Sequence, residues 1–172
     1  MSWKIKISYL FVCCSLLACM GLSQAFAGDM QPAHPEALVD SQWLQQHWQD
    51  EKVVVLDASD VTDDTYVQKT VKGAVCMSYR DLRQDSGLMK GISYGLEEDD
   101  FDPSNLEHIF QQAGVNADST VVLVAQYRVD DAGMVFWALK WLGHEDVRLL
   151  PVNYLKVLPE DMLTAELRQW SE

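Results

Sequence analysis

Few residues of this 172-residue chain could do chemistry. Cysteines stand at 13, 14, 19 and 76, and histidines at 34, 47, 108 and 144. The first three cysteines fall in an apolar leader, which leaves Cys76 as the one thiol of the body. One thiol makes no internal disulfide, and no Cys-x-x-Cys pair or Cys/His cluster with ligand spacing is present, so no structural metal and no cofactor are expected. Cys76 has two readings. A free cysteine usually packs as a small hydrophobe, the reading preferred here. A reactive thiolate would need Lys72 and Arg80 to outweigh a strongly acidic field. Asp57 closes the apolar run Val53-Val54-Val55-Leu56. A carboxylate there can serve as a general base or, as we favour, hold loop N–H groups by hydrogen bonds. The third candidate is the polar loop Gln126-Tyr127-Arg128-Val129-Asp130-Asp131, between an apolar run and an apolar helix.

The elements around these positions alternate. Asp40 or Ser41 caps a helix with Trp43, Leu44 and His47 on one face. Val53–Leu56 and Val121–Val124 are solid apolar runs of strand length, as strands covered on both faces are. Gly73-Ala74-Val75-Cys76-Met77 and Val147–Leu150 are shorter strand candidates. Asp102-Pro103 starts a helix that carries Leu106, Ile109 and Phe110 and stops at Gly114. Ala132–Leu142 is a helix ended by Gly143, apolar enough to be largely buried, with Trp137 and Trp141 in the core. Asp81–Asp102, with Gly87, Gly91, Gly95 and the acidic patch Glu97–Asp100, reads as a surface loop with local helix. Pro159–Trp170 reads as a terminal helix. The pattern predicts an α/β domain with a mostly parallel central sheet flanked by helices. Ligands of such sheets bind at the carboxyl ends of strands, where loop 126–131 lies.

Lys4 and Lys6, the apolar run Ile7–Leu22 and the small-residue site Ala25-Phe26-Ala27 form the pattern of a secretory signal peptide, 1–27, cleaved after Ala27. The run is short for a spanning helix, so an uncleaved anchor is the lesser alternative. Leu16-Leu17-Ala18-Cys19 resembles a lipoprotein box, a second alternative. A periplasmic or secreted product without stable membrane insertion is expected. Residues 28–37 form a lead-in linker, 38–158 the domain and 159–172 a helix or tail. Loss of Lys4 and Lys6 takes the formal charge from −13 to −15. Such a surface repels nucleic acid and anionic lipid.

Several segments, taken together, resemble the rhodanese (thiosulfate sulfurtransferase) domain. They are Leu38–Leu44, Val53–Ser59, Tyr66 with Gly73-Ala74-Val75, Val121–Val124, Phe136–His144 and Val147–Leu150, spread over about residues 38–158. The likeness is greatest to the amino-terminal, usually non-catalytic, half of two-domain sulfurtransferases. It implies a three-layer rhodanese-like fold. It also implies an active loop of six residues that opens with a cysteine, whose persulfide passes sulfur from thiosulfate to a thiophile. Counting back from Gly143 puts that loop at 126–131 and Gln126 in the cysteine position. A carboxamide is not a nucleophile and cannot carry a persulfide. Asp130 and Asp131 stand where the helix would otherwise attract an anion, and one of them is expected to cap it. At about 5 Å and an effective dielectric near 20, each like-charge pair costs an incoming anion roughly 3 kcal/mol. Lys69-Thr70-Val71-Lys72, Ser59 and Pro151-Val152-Asn153 also depart from the family's usual residues.

These residues predict no catalytic residue and a domain with a binding or regulatory role, through loop 126–131. The alternative is a sulfurtransferase component, acting with a separate cysteine-bearing domain or through Cys76. Partners would then be another protein or a missing second sulfurtransferase domain. A folded remnant of a two-domain protein is the third reading.

Overall fold

The computed structural model describes residues 32–85 and 103–170. The expected leader, residues 28–31 of the lead-in and residues 86–102 of the glycine-containing stretch, its acidic patch among them, lie outside these residues. The described residues from Glu36 onward belong to one compact unit.

Helix α1 spans Ser41–His47 and starts at Asp40, whose Oδ1 accepts from the Trp43 N–H at 2.8 Å. Strands β1 (Val53–Asp57), β2 (Thr70–Val71) and β3 (Val75–Cys76) precede helix α2 (Tyr79–Asp85). Helix α3 (Pro103–Gln112), strand β4 (Thr120–Val124), helix α4 (Val129–Trp141) and strand β5 (Val147–Leu149) follow. Two 3₁₀ turns, Tyr154–Lys156 and Glu160–Met162, lead to β6 (Leu163–Thr164) and β7 (Arg168–Gln169). Gly114 and Gly143 take φ of +90° and +85°, the left-handed geometry that lets the chain leave α3 and α4.

Five strands form a parallel sheet in the order β5-β4-β1-β3-β7. β2 and β6 form a separate antiparallel pair. Alternate residues of the central strands enter two different cores, as the period of 2 requires. Leu56, Val121 and Leu123 join Leu82, Leu106, Ile109, Val135 and Leu139 beneath α2, α3 and α4. Val55, Val122 and Val124 join Leu44, Tyr154, Leu158 and Met162 beneath α1 and the 3₁₀ turns. This is the α/β architecture expected, a mostly parallel sheet between two helical layers. Because β3 and β4 lie on opposite sides of β1, the chain ends of β1 and β4 diverge, and a crevice opens at that switch point.

Three expectations need correction. α4 begins at Val129, three residues before the expected start. Trp137 and Trp141 are 43% and 47% exposed, because α4 turns Ala132, Val135, Ala138 and Leu139 to the sheet and the tryptophans to the outer side. Pro159–Trp170 is a 3₁₀ turn and two short strands rather than a helix: its backbone pairs with Thr70-Val71 and Val75-Cys76. Long-range pairing here overrides local helix preference.

Candidate functional site

Asp57 is fully buried at the carboxyl end of β1. Its Oδ1 accepts from the Ser59 N–H at 3.0 Å. Its Oδ2 accepts from Thr70 Oγ1 at 2.8 Å and from the Tyr154 hydroxyl at 2.6 Å. Burial pushes the carboxyl pKa above its ordinary value, and the bonds from Ser59, Tyr154 and Thr70 pull the other way. Water does not reach it, so Asp57 has the geometry of a group that holds loops in place rather than that of a general base.

Gln126 lies two residues beyond β4 and is 1% exposed. Its backbone N–H donates to Ser59 Oγ at 2.9 Å. Its Oε1 accepts from the Val67 N–H at 2.9 Å. Its Nε2 lies 2.8 Å from the Val67 and Lys69 carbonyl oxygens and 3.0 Å from the Tyr154 oxygen. An amide nitrogen has two protons, so three acceptors already share them. Every polar atom of the side chain is therefore engaged with the strap 59–69, which crosses the mouth of the sheet, and with Tyr154.

The rest of loop 126–131 faces differently. Tyr127 is 57% exposed. Arg128 is the residue before α4, and its side chain makes no capping bond. Val129, Asp130 and Asp131 lie within the first helical turn, so neither aspartate is the cap that was expected. Instead, Arg128 reaches Asp130 at 3.0 Å and Asp131 at 3.6 Å. The Arg128 bond holds the Asp130 carboxyl below its usual range, whereas burial raises that of Asp131. First-turn carboxylates are favourable with the helix dipole and would repel an external anion at that end. The cleft above Gln126 is small, about 30 Å³, with Ser59, Asp60, Thr65, Gln126, Tyr127 and Arg128 among its walls. That is room for one or two waters.

Cys76 pairs in register with Asp57 across β1 and β3 and is 1% exposed. Burial, and then the Asp57 charge, push its thiol pKa up to about 12, with the Tyr66 and Thr70 hydroxyls offsetting part of this. At neutral pH a group with such a pKa is almost wholly thiol, the inert form. Among the described residues, no three His, Cys, Asp or Glu side chains converge as metal ligands do, and no helix is long and apolar enough to cross a membrane.

The structure thus brings together Asp57, Gln126 and, one strand away, Cys76, while Tyr127, Arg128 and Asp130 face outward. The sequence reading missed Tyr154, Thr70 and Tyr66 as members of this cluster. Tyr154 reaches Asp57 from 97 residues away, and no local pattern marks it. Thr70 lies in a two-residue strand too short to show a period.

The sequence matches the Rhodanese-like domain family over residues 40–154. It is 33% identical over 120 residues to the sulfur carrier protein TtuD of Thermus thermophilus, a match that covers 69% of this chain and 38% of TtuD. The chain therefore spans well under half the length of that relative. Among solved structures, the fold is similar to that of SseA of Escherichia coli, described as a 3-mercaptopyruvate sulfotransferase. There the TM-score is 0.52 at 21% identity, covering 66% of this chain and 45% of SseA. The structure of YnjE is also similar, with a TM-score of 0.51 at 22% identity, covering 69% of this chain and 28% of that one. With the family match spanning most of the described residues and the fold agreeing with it, this chain belongs to the rhodanese-like family.

Proposed function

We propose that this chain is an exported rhodanese-like domain that does not transfer sulfur and whose role is binding or regulatory. In this it would resemble the non-catalytic amino-terminal half of two-domain sulfurtransferases. The observation that carries the reading is the state of Gln126. Its amide oxygen and nitrogen are committed to Val67, Lys69 and Tyr154, and on this reading that amide stands where the family's cysteine would act. The burial and raised pKa of Cys76 speak against a substitute nucleophile. The exposed Tyr127 and the Arg128–Asp130 pair on the crevice's rim are the surface through which contact with a partner would run.

Thiocyanate formation from thiosulfate and cyanide by the purified protein is the test. No turnover is expected. Turnover lost in Cys76→Ala would overturn the reading.

One observation favours a second reading. TtuD, named as a sulfur carrier, is much longer than the segment matched here. The domain would then support a separate cysteine-bearing sulfurtransferase domain. In that case activity would appear, or rise, only when such a domain is mixed in. Export would be read from the first residue of the periplasmic product, expected to be Gly28; retention of Cys19 with a lipid would point to the lipoprotein route.

A further inference from the structure

The single hydroxyl proton of Tyr154 has two acceptors, one of them the buried Asp57 carboxyl. The Tyr154 oxygen lies 2.6 Å from Asp57 Oδ2 and 2.9 Å from the Lys69 carbonyl oxygen. It is also 3.0 Å from Gln126 Nε2, which can only donate to it. A phenol cannot serve both acceptors at once, so the state of Asp57 selects between them. An ionised carboxylate only accepts, and it draws the hydroxyl to Oδ2. A protonated carboxyl can donate its own O–H to the Tyr154 oxygen, which turns the tyrosine proton toward Lys69. Both arrangements leave the Ser59 N–H on Oδ1. The change releases one proton from the carboxyl to solvent, while Tyr154 keeps its own.

The groups around the carboxyl are Ser59, Tyr66 and Thr70 from the strap and β2, Cys76 from β3, and Tyr154 from the 3₁₀ turn. None is a cation. The nearby cations are engaged at the surface: Lys69 Nζ with Glu160, Lys72 Nζ with the Asp161 carbonyl oxygen, and Arg80 with Asp60. Hydrogen bonds alone steady the charge when it forms, and burial favours the neutral carboxyl.

We infer that Tyr154 is a proton-controlled latch on the strap 59–69: with Asp57 protonated its hydroxyl ties Lys69 down, and on ionisation it withdraws to the carboxylate. Lys69 is then left to Gln126 and to the longer 3.3 Å bond from Tyr66. The strap supplies Ser59, Asp60, Thr65 and Tyr66 to the walls of the mouth, and losing the Tyr154 bond would loosen it as pH rises. This goes beyond the proposed binding role and does not depend on any ligand.

The test is NMR on the whole protein from about pH 4 to about pH 9, reading the Asp57 carboxyl carbon and the exchange protection of the Val67 and Lys69 amides in the same samples. The expected result is an Asp57 midpoint above the ordinary carboxylate range. Protection should fall by about fivefold through the same midpoint, the worth of one hydrogen bond. Asp57→Asn, which mimics the neutral carboxyl, should keep the low-pH protection throughout. Tyr154→Phe should show the weaker protection throughout. An Asp57 carbon that titrates near 4, or not at all in this range, overturns the latch. So does protection in the wild-type chain that ignores the Asp57 midpoint, a reading that needs no variant to fold.

Discussion

Val67 and Gln126 are joined as two peptide groups in neighbouring strands are joined. The Val67 N–H donates to Gln126 Oε1 at 2.9 Å, and the Val67 carbonyl accepts from Gln126 Nε2 at 2.8 Å. The side chain of one residue thus imitates a backbone unit and pins a 59-residue chain separation across the crevice. A thiol could make neither bond at comparable strength.

Gln126→Ala should therefore act first on stability. It removes the acceptor of the Val67 N–H and one donor each from the Val67 and Lys69 carbonyls, which keep the Lys69 N–H and the Tyr154 and Tyr66 hydroxyls respectively, with an expected loss of about 1–3 kcal/mol in urea unfolding. Gln126→Glu removes the donors and adds a carboxyl near Asp57, so its deficit should widen as pH rises. A loss under about 0.5 kcal/mol for the alanine variant would mean the strap does not depend on this amide.

Gln126→Cys should not restore sulfur transfer. The variant loses the ties to Val67 and Lys69, and its thiol would lie at a cleft that Asp60, Asp63 and Asp131 line. Strong thiocyanate production by this variant alone would show that the loop is still built for an anion and that the carboxylates matter less than argued.

Cys76 should react slowly with a disulfide reagent in the native state and quickly once denatured, because the thiol is buried and its pKa is raised to about 12. Equal rates in both states would contradict the burial and reopen Cys76 as a carrier.

Asp57 also predicts a pH dependence of stability. Its folded pKa is raised, so its contribution is fully present below the unfolded value near 3.9 and is lost as pH rises through the folded pKa. Asp146 and Asp118 are shifted down, so their contributions are lost on the acid side instead. The stability difference between wild type and Asp57→Asn, followed by urea titration, should shrink as pH increases above about 4. A difference that is flat or grows with pH contradicts the assignment.

Much of the scaffold was legible because its signals are local. Of the two cap candidates Asp40 and Ser41 it is Asp40 that caps α1, Gly114 and Gly143 end their helices, and the apolar runs are central strands with both faces covered. What failed was non-local or unsignalled. α4 starts behind an arginine that makes no capping bond, so no Ser, Thr, Asp or Asn marked its beginning. The segment after Pro159 is held by β2 and β3, about 90 residues earlier in the chain, which no window of sequence contains. At the site, counting from Gly143 within the resemblance singles out position 126, but no local pattern marks its bonds, since their partners lie on the strap and the 3₁₀ turn. Trp137 and Trp141 were misplaced because an all-apolar helix gives no stripe from which to tell the inner face.

The central claim is that no residue of this domain carries sulfur. Intact-protein mass spectrometry after incubation with thiosulfate tests it most directly. The account predicts an unchanged mass; a gain of one sulfur atom, mapped to the peptide that contains Cys76 and absent from Cys76→Ala, would contradict it.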